Sequence, residues 1–321
     1  MKIATYFLTF IFSSVQLFAG IFEIDSRTLI NSNSKPNIIA LSKGVAVQIP
    51  LNRIKNFSTI GAAIYIGQTQ TVKDEFITCP GVAFNEQTSL PVCTAFLVKA
   101  DMILTAGHCG LVNQAGCDTN MWVFNYTSEN LKLSPSKEIP NFTNVEIKGS
   151  NAYRCKKIIS SAYQPQENGL DYALIQLDRP VTNGFINKLK SSVALTKQDQ
   201  IFTIGALSGT PLVSTAPDFI QNISSHYVSG PFDLIERGSG GPAYDARTNE
   251  IIGIMVSSSK DYFFENFQQA KSNQCQKPFI LKSPWAETIK TPTGEIKKFP
   301  YTSAERLDVL PIAVKNILGL K

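Results

Sequence analysis

Short apolar runs alternate with turn-forming residues along most of the chain. The runs are rich in β-branched and aromatic side chains, and Gly, Pro, Asn and Ser interrupt them. This spacing predicts an antiparallel, all-β protein rather than a helical or α/β one. The predicted strands cover residues 44–49, 61–66, 95–98, 102–105, 121–126, 172–177, 201–204 and 251–256.

Helical periodicity occurs only near the C-terminus. Thr302 and Glu305 have the spacing of a capping box, in which the two side chains satisfy the first amides of a helix. Pro311 is followed by an apolar stripe at helical spacing. We therefore predict a short C-terminal helix with an apolar face formed by Ile312, Val314, Ile317 and Leu318.

The first 19 residues have the layout of a signal peptide. Lys2 precedes a largely apolar run without charges, and Ser13 and Ser14 lead to a Leu-Phe-Ala end at Ala19. A membrane anchor is the alternative, but a bilayer span needs about 20 apolar residues and this run is shorter. We expect residues 1–19 to be removed, no stable membrane anchor, and a protein secreted to the extracellular space or the periplasm.

The remaining residues, 20–321, are sufficient for one large domain or two packed halves, with 43% of the chain hydrophobic. The segment 21–50 is either a propeptide or the start of the fold, and its apolar run at 44–49 favours the fold. The net charge is only +5 and the basic residues are scattered. No nucleic-acid partner is therefore predicted.

The chain has six cysteines, and an even number in an exported protein indicates disulfides. Zinc binding is the alternative. It is not supported, because no CxxC pair occurs and the chain has only two histidines. We predict neither a metal nor a cofactor.

Three motifs contain the residue types that serine hydrolysis needs. His108 follows the predicted strand 102–105, Asp171 precedes the strand 172–177, and Ser239 lies in a glycine-rich turn before the strand 251–256. Such chemistry requires a hydroxyl nucleophile, a base that accepts its proton, a carboxylate that orients the base, and backbone donors for the oxyanion.

The same motifs carry a family resemblance. Leu104-Thr-Ala-Gly-His108-Cys109, Asp171-Tyr-Ala-Leu-Ile175 and Arg237-Gly-Ser-Gly-Gly-Pro242 resemble the catalytic motifs of the chymotrypsin/trypsin superfamily. Further stretches, Asp25-Ser-Arg27 and Tyr153-Arg-Cys155, resemble its bacterial exported trypsin-like and glutamyl-endopeptidase-like members. The resemblance implies two six-stranded antiparallel β-barrels with the active site in the cleft between them.

The resemblance also implies a role for each residue. His108 would be the base, Asp171 its orienting carboxylate and Ser239 the nucleophile. The backbone N–H groups of Arg237, Gly238 and Ser239 would form the oxyanion hole. The expected activity is that of a serine endopeptidase, which hydrolyses protein or peptide substrates through an acyl-enzyme without a cofactor.

One departure from the family pattern concerns the residues before the nucleophile. Animal members have Gly-Asp there, whereas this chain has Arg237-Gly238. Without that aspartate, activation through an ion pair with a newly cut N-terminus is not available to Gly238. The Arg237 side chain also adds bulk at a presumed oxyanion donor. The alternative function is therefore a catalytically impaired binding or adhesion protein on the protease fold.

Substrate preference and disulfide pairing follow less directly from the resemblance. Asp233 lies where trypsins place the carboxylate of their specificity pocket, and either a basic preference or a structural role fits it. His226 is either a pocket residue or a surface residue. The resemblance implies a Cys93–Cys109 bridge. The other four cysteines allow three connectivities, of which we favour Cys117–Cys155 with Cys79–Cys275.

Overall fold

The computed structural model describes residues 21–22, 24–59, 61–164, 169–191, 194–256, 262–264, 275–278, 280–281, 288–290, 296–298 and 302–320. The predicted signal peptide lies outside these residues. The helices are α1 Pro36–Ser42, α2 Val72–Phe76, α3 Gln114–Asp118 and α4 Ile312–Leu318. Short 3-10 turns cover Leu51–Arg53, Ser128–Asn130, Gly149–Asn151, Leu207–Gly209 and Leu307–Val309.

The rest of the regular structure is β-strand. The strands of the first half are β1 Ile21–Phe22, β2 Thr28–Leu29, β3 Val45–Pro50, β4 Ile64–Thr69, β5 Cys93–Lys99, β6 Met102–Thr105, β7 Asn120–Phe124, β8 Lys132–Pro135, β9 Thr143–Lys148, β10 Ala152–Tyr163 and β11 Asp171–Leu177. Those of the second half are β12 Gln200–Gly205, β13 Val213–Ser214, β14 Asp218–Phe219, β15 Asn222–Ile223, β16 Tyr227–Gly230, β17 Pro242–Asp245, β18 Ile251–Met255, β19 Tyr262–Phe264, β20 Gln276–Pro278, β21 Ile280–Leu281, β22 Thr288–Lys290, β23 Ile296–Lys298 and β24 Thr302–Arg306.

The first half is a closed barrel of six strands in the order β10-β11-β6-β5-β3-β7. All neighbours in it are antiparallel. Most residues of β3, β5, β7 and β11 are buried, because one face lines the barrel and the other is covered by neighbouring elements. Phe96, Trp122 and Leu174 are completely buried. Each large apolar side chain of this kind contributes about 1.5–3 kcal/mol by leaving water.

The second half is a nine-stranded sheet in the order β15-β16-β24-β18-β17-β12-β13-β2, with β14 also paired to β12. In the described part of the chain no pairing joins β15 to β2, so the sheet is not closed as the expected second barrel would be. Its two edges are the short strands β15 and β2. The N-terminal strand β2 pairs with β13, and β15 forms a hairpin with β16.

The remaining strands form smaller sheets. Strands β4, β9 and β8 form a three-stranded sheet next to the first barrel, and β1 pairs in parallel with β21. Strand β19 pairs with β20, and β22 with β23.

The all-β prediction is confirmed, and seven of the eight predicted runs closely match strands of the structure. The eighth, 61–66, overlaps β4 only in its second half. The C-terminal helix exists as α4, where Val314 is buried against the core and Ile317 and Leu318 are half-buried. The prediction was wrong for Ile312, which begins the helix and is 68% exposed. The prediction of a capping box was wrong, because Thr302 and Glu305 belong to strand β24, which pairs with β16 on one side and β18 on the other.

All six cysteines are paired in the structure. The bridges are Cys79–Cys275, Cys93–Cys109 and Cys117–Cys155, as favoured from the sequence. The first spans 196 residues and ties the loop after α2 to the C-terminal region. Among the helices described, none is long and apolar enough to cross a membrane.

Candidate active site

His108 and Asp171 meet because of the pairing of two adjacent strands. Strands β6 and β11 are antiparallel, with Ala173 opposite Thr105. The end of β6 therefore lies beside the start of β11, and His108 follows the first while Asp171 begins the second. Gly107 allows close approach here, since a Cβ at this position would lie 2.1 Å from the carbonyl oxygen of Ala162.

The carboxylate of Asp171 holds His108 through two hydrogen bonds. Oδ2 lies 2.6 Å from Nδ1 of the imidazole, and Oδ1 accepts the main-chain N–H of His108 at 2.9 Å. Asp171 is buried, whereas a quarter of the His108 side chain (26%) is exposed. A carboxylate at Nδ1 favours the tautomer in which Nδ1 carries the proton, and the other ring nitrogen, Nε2, is then able to accept one.

Ser239 is held at the same place by the main chain. The N–H of Thr94 in β5 donates to the carbonyl oxygen of Ser239 at 2.8 Å, and Sγ of Cys109 lies 3.8 Å from that oxygen. Gly240 has a φ of +83°, and a Cβ there would lie 2.1 Å from Oγ1 of Thr105. Only glycine allows the turn to pack this closely on β5 and β6.

The three predicted oxyanion donors are not equivalent. The N–H of Gly238 donates to the carbonyl oxygen of Ile235 at 3.2 Å. The prediction that Gly238 supplies an oxyanion donor is therefore wrong. The N–H of Arg237 has no acceptor within the residues that the structure describes. A Cβ at Gly238 would lie 2.3 Å from Cδ2 of Leu207. The aspartate that animal family members carry at this position would therefore require the buried side chains of Leu207 and Leu234 to move.

Arg237 adopts a backbone conformation that usually requires glycine. Its φ is +71°, which costs a residue with a side chain about 1–3 kcal/mol. The side chain is fixed by the loop around α2. Nη2 forms an ion pair with Oε1 of Glu75 at 2.5 Å, Nη1 donates to Oγ of Ser89 at 2.8 Å, and the guanidinium lies 4.9 Å from the ring centre of Phe76.

The charge of Glu75 is stabilised by this contact. Burial raises the pKa of its carboxyl, but the hydrogen bond and charge of Arg237, together with Arg53, outweigh burial and lower the pKa below its usual range. Glu75 is therefore ionised at neutral pH. The ion pair and hydrogen bonds compensate for the unfavourable backbone of Arg237.

Asp233 binds the N-terminal segment. Oδ1 accepts the N–H of Phe22 at 2.8 Å, and Oδ2 accepts both the N–H of Ser26 at 3.1 Å and the Ser26 hydroxyl. Burial is the main influence on Asp233 and raises the pKa of its carboxyl, although these hydrogen bonds act in the opposite direction. In this structure both oxygens are engaged by the protein itself, which favours the structural role over the pocket role.

We expect Asp233→Ala to lower the free energy of unfolding by about 1–3 kcal/mol for each buried donor left without an acceptor. Urea unfolding measures this loss. Asp118→Ala, which changes an exposed aspartate in α3, is the matched control and should have little effect. An equal stability of the two variants would show that Asp233 does not anchor the N-terminal segment.

His226 is half-buried in the turn before β16. Its Nδ1 is 3.0 Å from the hydroxyl of Ser225, and this contact is exposed.

A ring nitrogen of His108 lies within 4.8 Å of the sulfur atoms of Cys93 and Cys109, an arrangement that resembles a metal site. Because those sulfurs are bonded to each other, neither is a thiolate that could bind a metal.

Sequence reasoning missed two carboxylates at the site. Glu75 contacts Arg237, and Oε2 of Glu305 accepts the main-chain N–H of Asp171 at 2.8 Å. The partners are 162 and 134 residues apart, and no local pattern links them. The only sequence signal was the unexplained Arg237 in a glycine position, which indicates that some acidic partner exists.

Comparisons with known proteins agree with this architecture. The model of the trypsin-like peptidase domain matches residues 93–254, just over half of the chain. No curated protein matches it. Human heparin binding protein shares the fold, with a TM-score of 0.51, 11% identity, and coverage of 92% of this chain and 97% of that one.

Two proteases have weaker structural similarity. A Glu endopeptidase in complex with MPD is 14% identical, with a TM-score of 0.43 and coverage of 80% of this chain and 92% of that one. The VesB protease of Vibrio cholerae is 14% identical, with a TM-score of 0.45, and the match covers 74% of this chain and 61% of that one. The family match includes His108, Asp171 and Ser239, and this chain belongs to the trypsin-like peptidase domain family.

Proposed function

We propose that this protein is a secreted serine endopeptidase in which Ser239 is the nucleophile, His108 the base and Asp171 the residue that orients the base. The observation that carries the proposal is the pair of hydrogen bonds between Asp171 and His108, next to a glycine-rich turn that holds Ser239. Family membership supports a serine peptidase function.

The proposed reaction is acyl transfer followed by hydrolysis. His108 accepts the proton of the Ser239 hydroxyl as the oxygen attacks the peptide carbonyl, and the imidazolium is stabilised by Asp171. The same proton passes to the leaving amine, which gives an ester on Ser239. Water then attacks the ester carbonyl while His108 removes its proton, the bond to the Ser239 oxygen breaks, and His108 returns the proton to that oxygen as the acid product leaves. The N–H groups of Arg237 and Ser239 are the proposed oxyanion donors.

Secretion is supported by the three disulfides. Disulfide bonds persist in oxidising compartments and are rare in cytosolic proteins, and this chain has three of them. The predicted leader at residues 1–19 is the second argument. Fusion of these residues to a reporter protein tests it, and the proposal requires the reporter to be exported.

The direct test of the activity is a chemical label combined with a peptide library. A fluorophosphonate probe should modify purified protein at Ser239, and mass spectrometry of the digested product locates the label. Cleavage of the library then gives the residue preference before the cut. Absence of both labelling and cleavage in protein that is folded and oxidised would refute the proposal.

Arg237 provides a more specific prediction. Arg237→Ala should lower kcat by up to about 10²–10³-fold, because the loop loses its contact with Glu75 while Ala keeps a Cβ at positive φ. Arg237→Gly should lose less, since glycine adopts this conformation without strain. Steady-state kinetics on the best library peptide measures both. Equal losses would contradict the role given to the backbone conformation.

The second candidate function is a binding protein on an impaired protease scaffold. The observation that favours it is the side chain of Arg237 at a position where the family has glycine. One structural relative carries the name heparin binding protein. The fluorophosphonate experiment separates the two functions, because a distorted oxyanion hole would leave Ser239 unlabelled.

A further inference from the structure

Glu305 is a fully buried carboxyl group behind the proposed triad. It lies in β24 of the second half, yet its Oε2 accepts the N–H of Asp171, the first residue of β11, at 2.8 Å. The side-chain oxygens of Asp171 are both directed at His108. A continuous chain of hydrogen bonds therefore runs from the middle of the second sheet, through Asp171, to the imidazole.

The surroundings of Glu305 disfavour a negative charge. The negative charge of Asp171, at the start of β11, acts on Glu305. In β16 the nearby Tyr227 hydroxyl donates its hydrogen bond to the carbonyl oxygen of Gly169. From β18 the residue opposite in register is Ile254, which is apolar. No lysine or arginine in the described part of the chain forms an ion pair with Glu305. Its Oε1 is buried and has no hydrogen-bond partner among the residues described.

These contacts shift the acid–base equilibrium of Glu305. Burial raises the pKa of its carboxyl most strongly, the Asp171 N–H partly offsets this, and the charge of Asp171 raises it further, to about 8. At neutral pH the group is then the uncharged acid, which avoids placing an unpaired charge in an apolar interior.

We propose that Glu305 is a positioning residue for the triad, which fixes the main chain at Asp171 from the second half of the molecule and so aims the carboxylate at His108. This inference rests on the proposed function. Glu305 touches no reacting atom, and its effect passes through Asp171.

The positioning role of Glu305 requires that its carboxyl group be uncharged. If Glu305 lost its proton, its negative charge and that of Asp171 would lie in the same buried region and repel. Repulsion of this kind displaces Asp171 from His108, whose ring then loses its orientation. The triad would therefore weaken as the pH rises through the pKa of Glu305.

The first test compares Glu305→Gln with Glu305→Ala. Glutamine keeps the acceptor for the Asp171 N–H and is uncharged at every pH, so kcat/KM at pH 7 should stay within about threefold of the unmodified protein. Alanine removes the acceptor and should lower kcat by about 10–100-fold with little change in KM. Glu86→Gln, at an exposed carboxyl, is the matched control.

The second test is the pH profile. The unmodified protein should lose kcat/KM as the pH passes through about 8, whereas Glu305→Gln should not show this inflection. A spectroscopic signal reports the same event without any substrate. The low-field proton resonance of the His108 Nδ1–H should shift with an apparent pKa near 8 in the unmodified protein and stay constant in Glu305→Gln.

Stability supplies a third measurement, which remains available if Glu305→Ala does not fold. The folded protein keeps the proton between pH 4.5 and about 8, while the unfolded chain releases it. Relative to Glu305→Gln, the unfolding equilibrium constant of the unmodified protein should therefore rise about tenfold per pH unit in this range. Urea unfolding of both proteins at several pH values measures it.

The outcomes separate this inference from the proposed function. If the protein cleaves nothing but the His108 resonance still responds to Glu305, the positioning role stands and the peptidase function falls. If the protein cleaves peptides while Glu305→Gln keeps the inflection near pH 8 and the same resonance shift, the role of Glu305 is overturned.

Discussion

Replacing Ser239 by Ala should lower kcat by about 10⁶-fold. The alanine variant has no hydroxyl to form the acyl-enzyme, and members of a triad that act as a unit lose most of their combined effect when one is removed. The residual rate comes from binding and from the remaining backbone donors.

The measurement is single-turnover cleavage of the best library peptide. Ser134→Ala, which changes an exposed serine in β8, is the control and should keep full activity. Thermal unfolding of both variants should match that of the unmodified protein, since the main-chain contacts of Ser239 with Thr94 remain. An unchanged rate in Ser239→Ala would exclude the acyl-enzyme mechanism.

Replacing Asp171 by Asn should lower kcat by about 10⁴-fold, as the same change does in a trypsin-type triad. The main-chain N–H of His108 needs an acceptor, so the amide oxygen of the asparagine takes that contact. The amide nitrogen then faces Nδ1 and donates to it. Nδ1 must give up its proton, Nε2 carries it instead, and the imidazole is no longer able to accept the proton of Ser239.

Asp178→Asn is the matched control for this variant. Asp178 follows β11, pairs with Arg179 and is partly exposed, so its replacement should change kcat little. Because asparagine is nearly isosteric with aspartate, the fold of Asp171→Asn should persist. A similar loss in both variants would indicate a general effect of charge near β11 rather than the tautomer of His108.

The parts of the site that could be predicted from the sequence are those that depend on short stretches of consecutive residues. The strand before His108 and the strand that begins with Asp171 are short, mostly apolar runs bounded by turn residues, a pattern typical of buried strands. The turn at Gly240 was predicted from its glycines, which no other residue could replace there. Family resemblance then connected these segments, which local patterns alone do not.

The parts that sequence missed depend on contacts between distant segments. Strand β10 escaped prediction because Arg154, Lys156 and Lys157 interrupt its apolar residues, and two register shifts break its alternation. Glu305 was assigned to a helix cap since Thr302 and Glu305 have the right spacing for one. Pairing on both sides of β24 outweighs that weak local preference.

The central position of β24 has a consequence for protein synthesis. This strand separates β16 from β18, so the second sheet lacks its middle until residues 302–306 have been made. A nascent chain that already contains Ser239 would still lack Glu305 and a partner for β18, the strand after the nucleophile turn. The second sheet, and with it the contact between Glu305 and Asp171, is therefore complete only when nearly the whole chain has been synthesised.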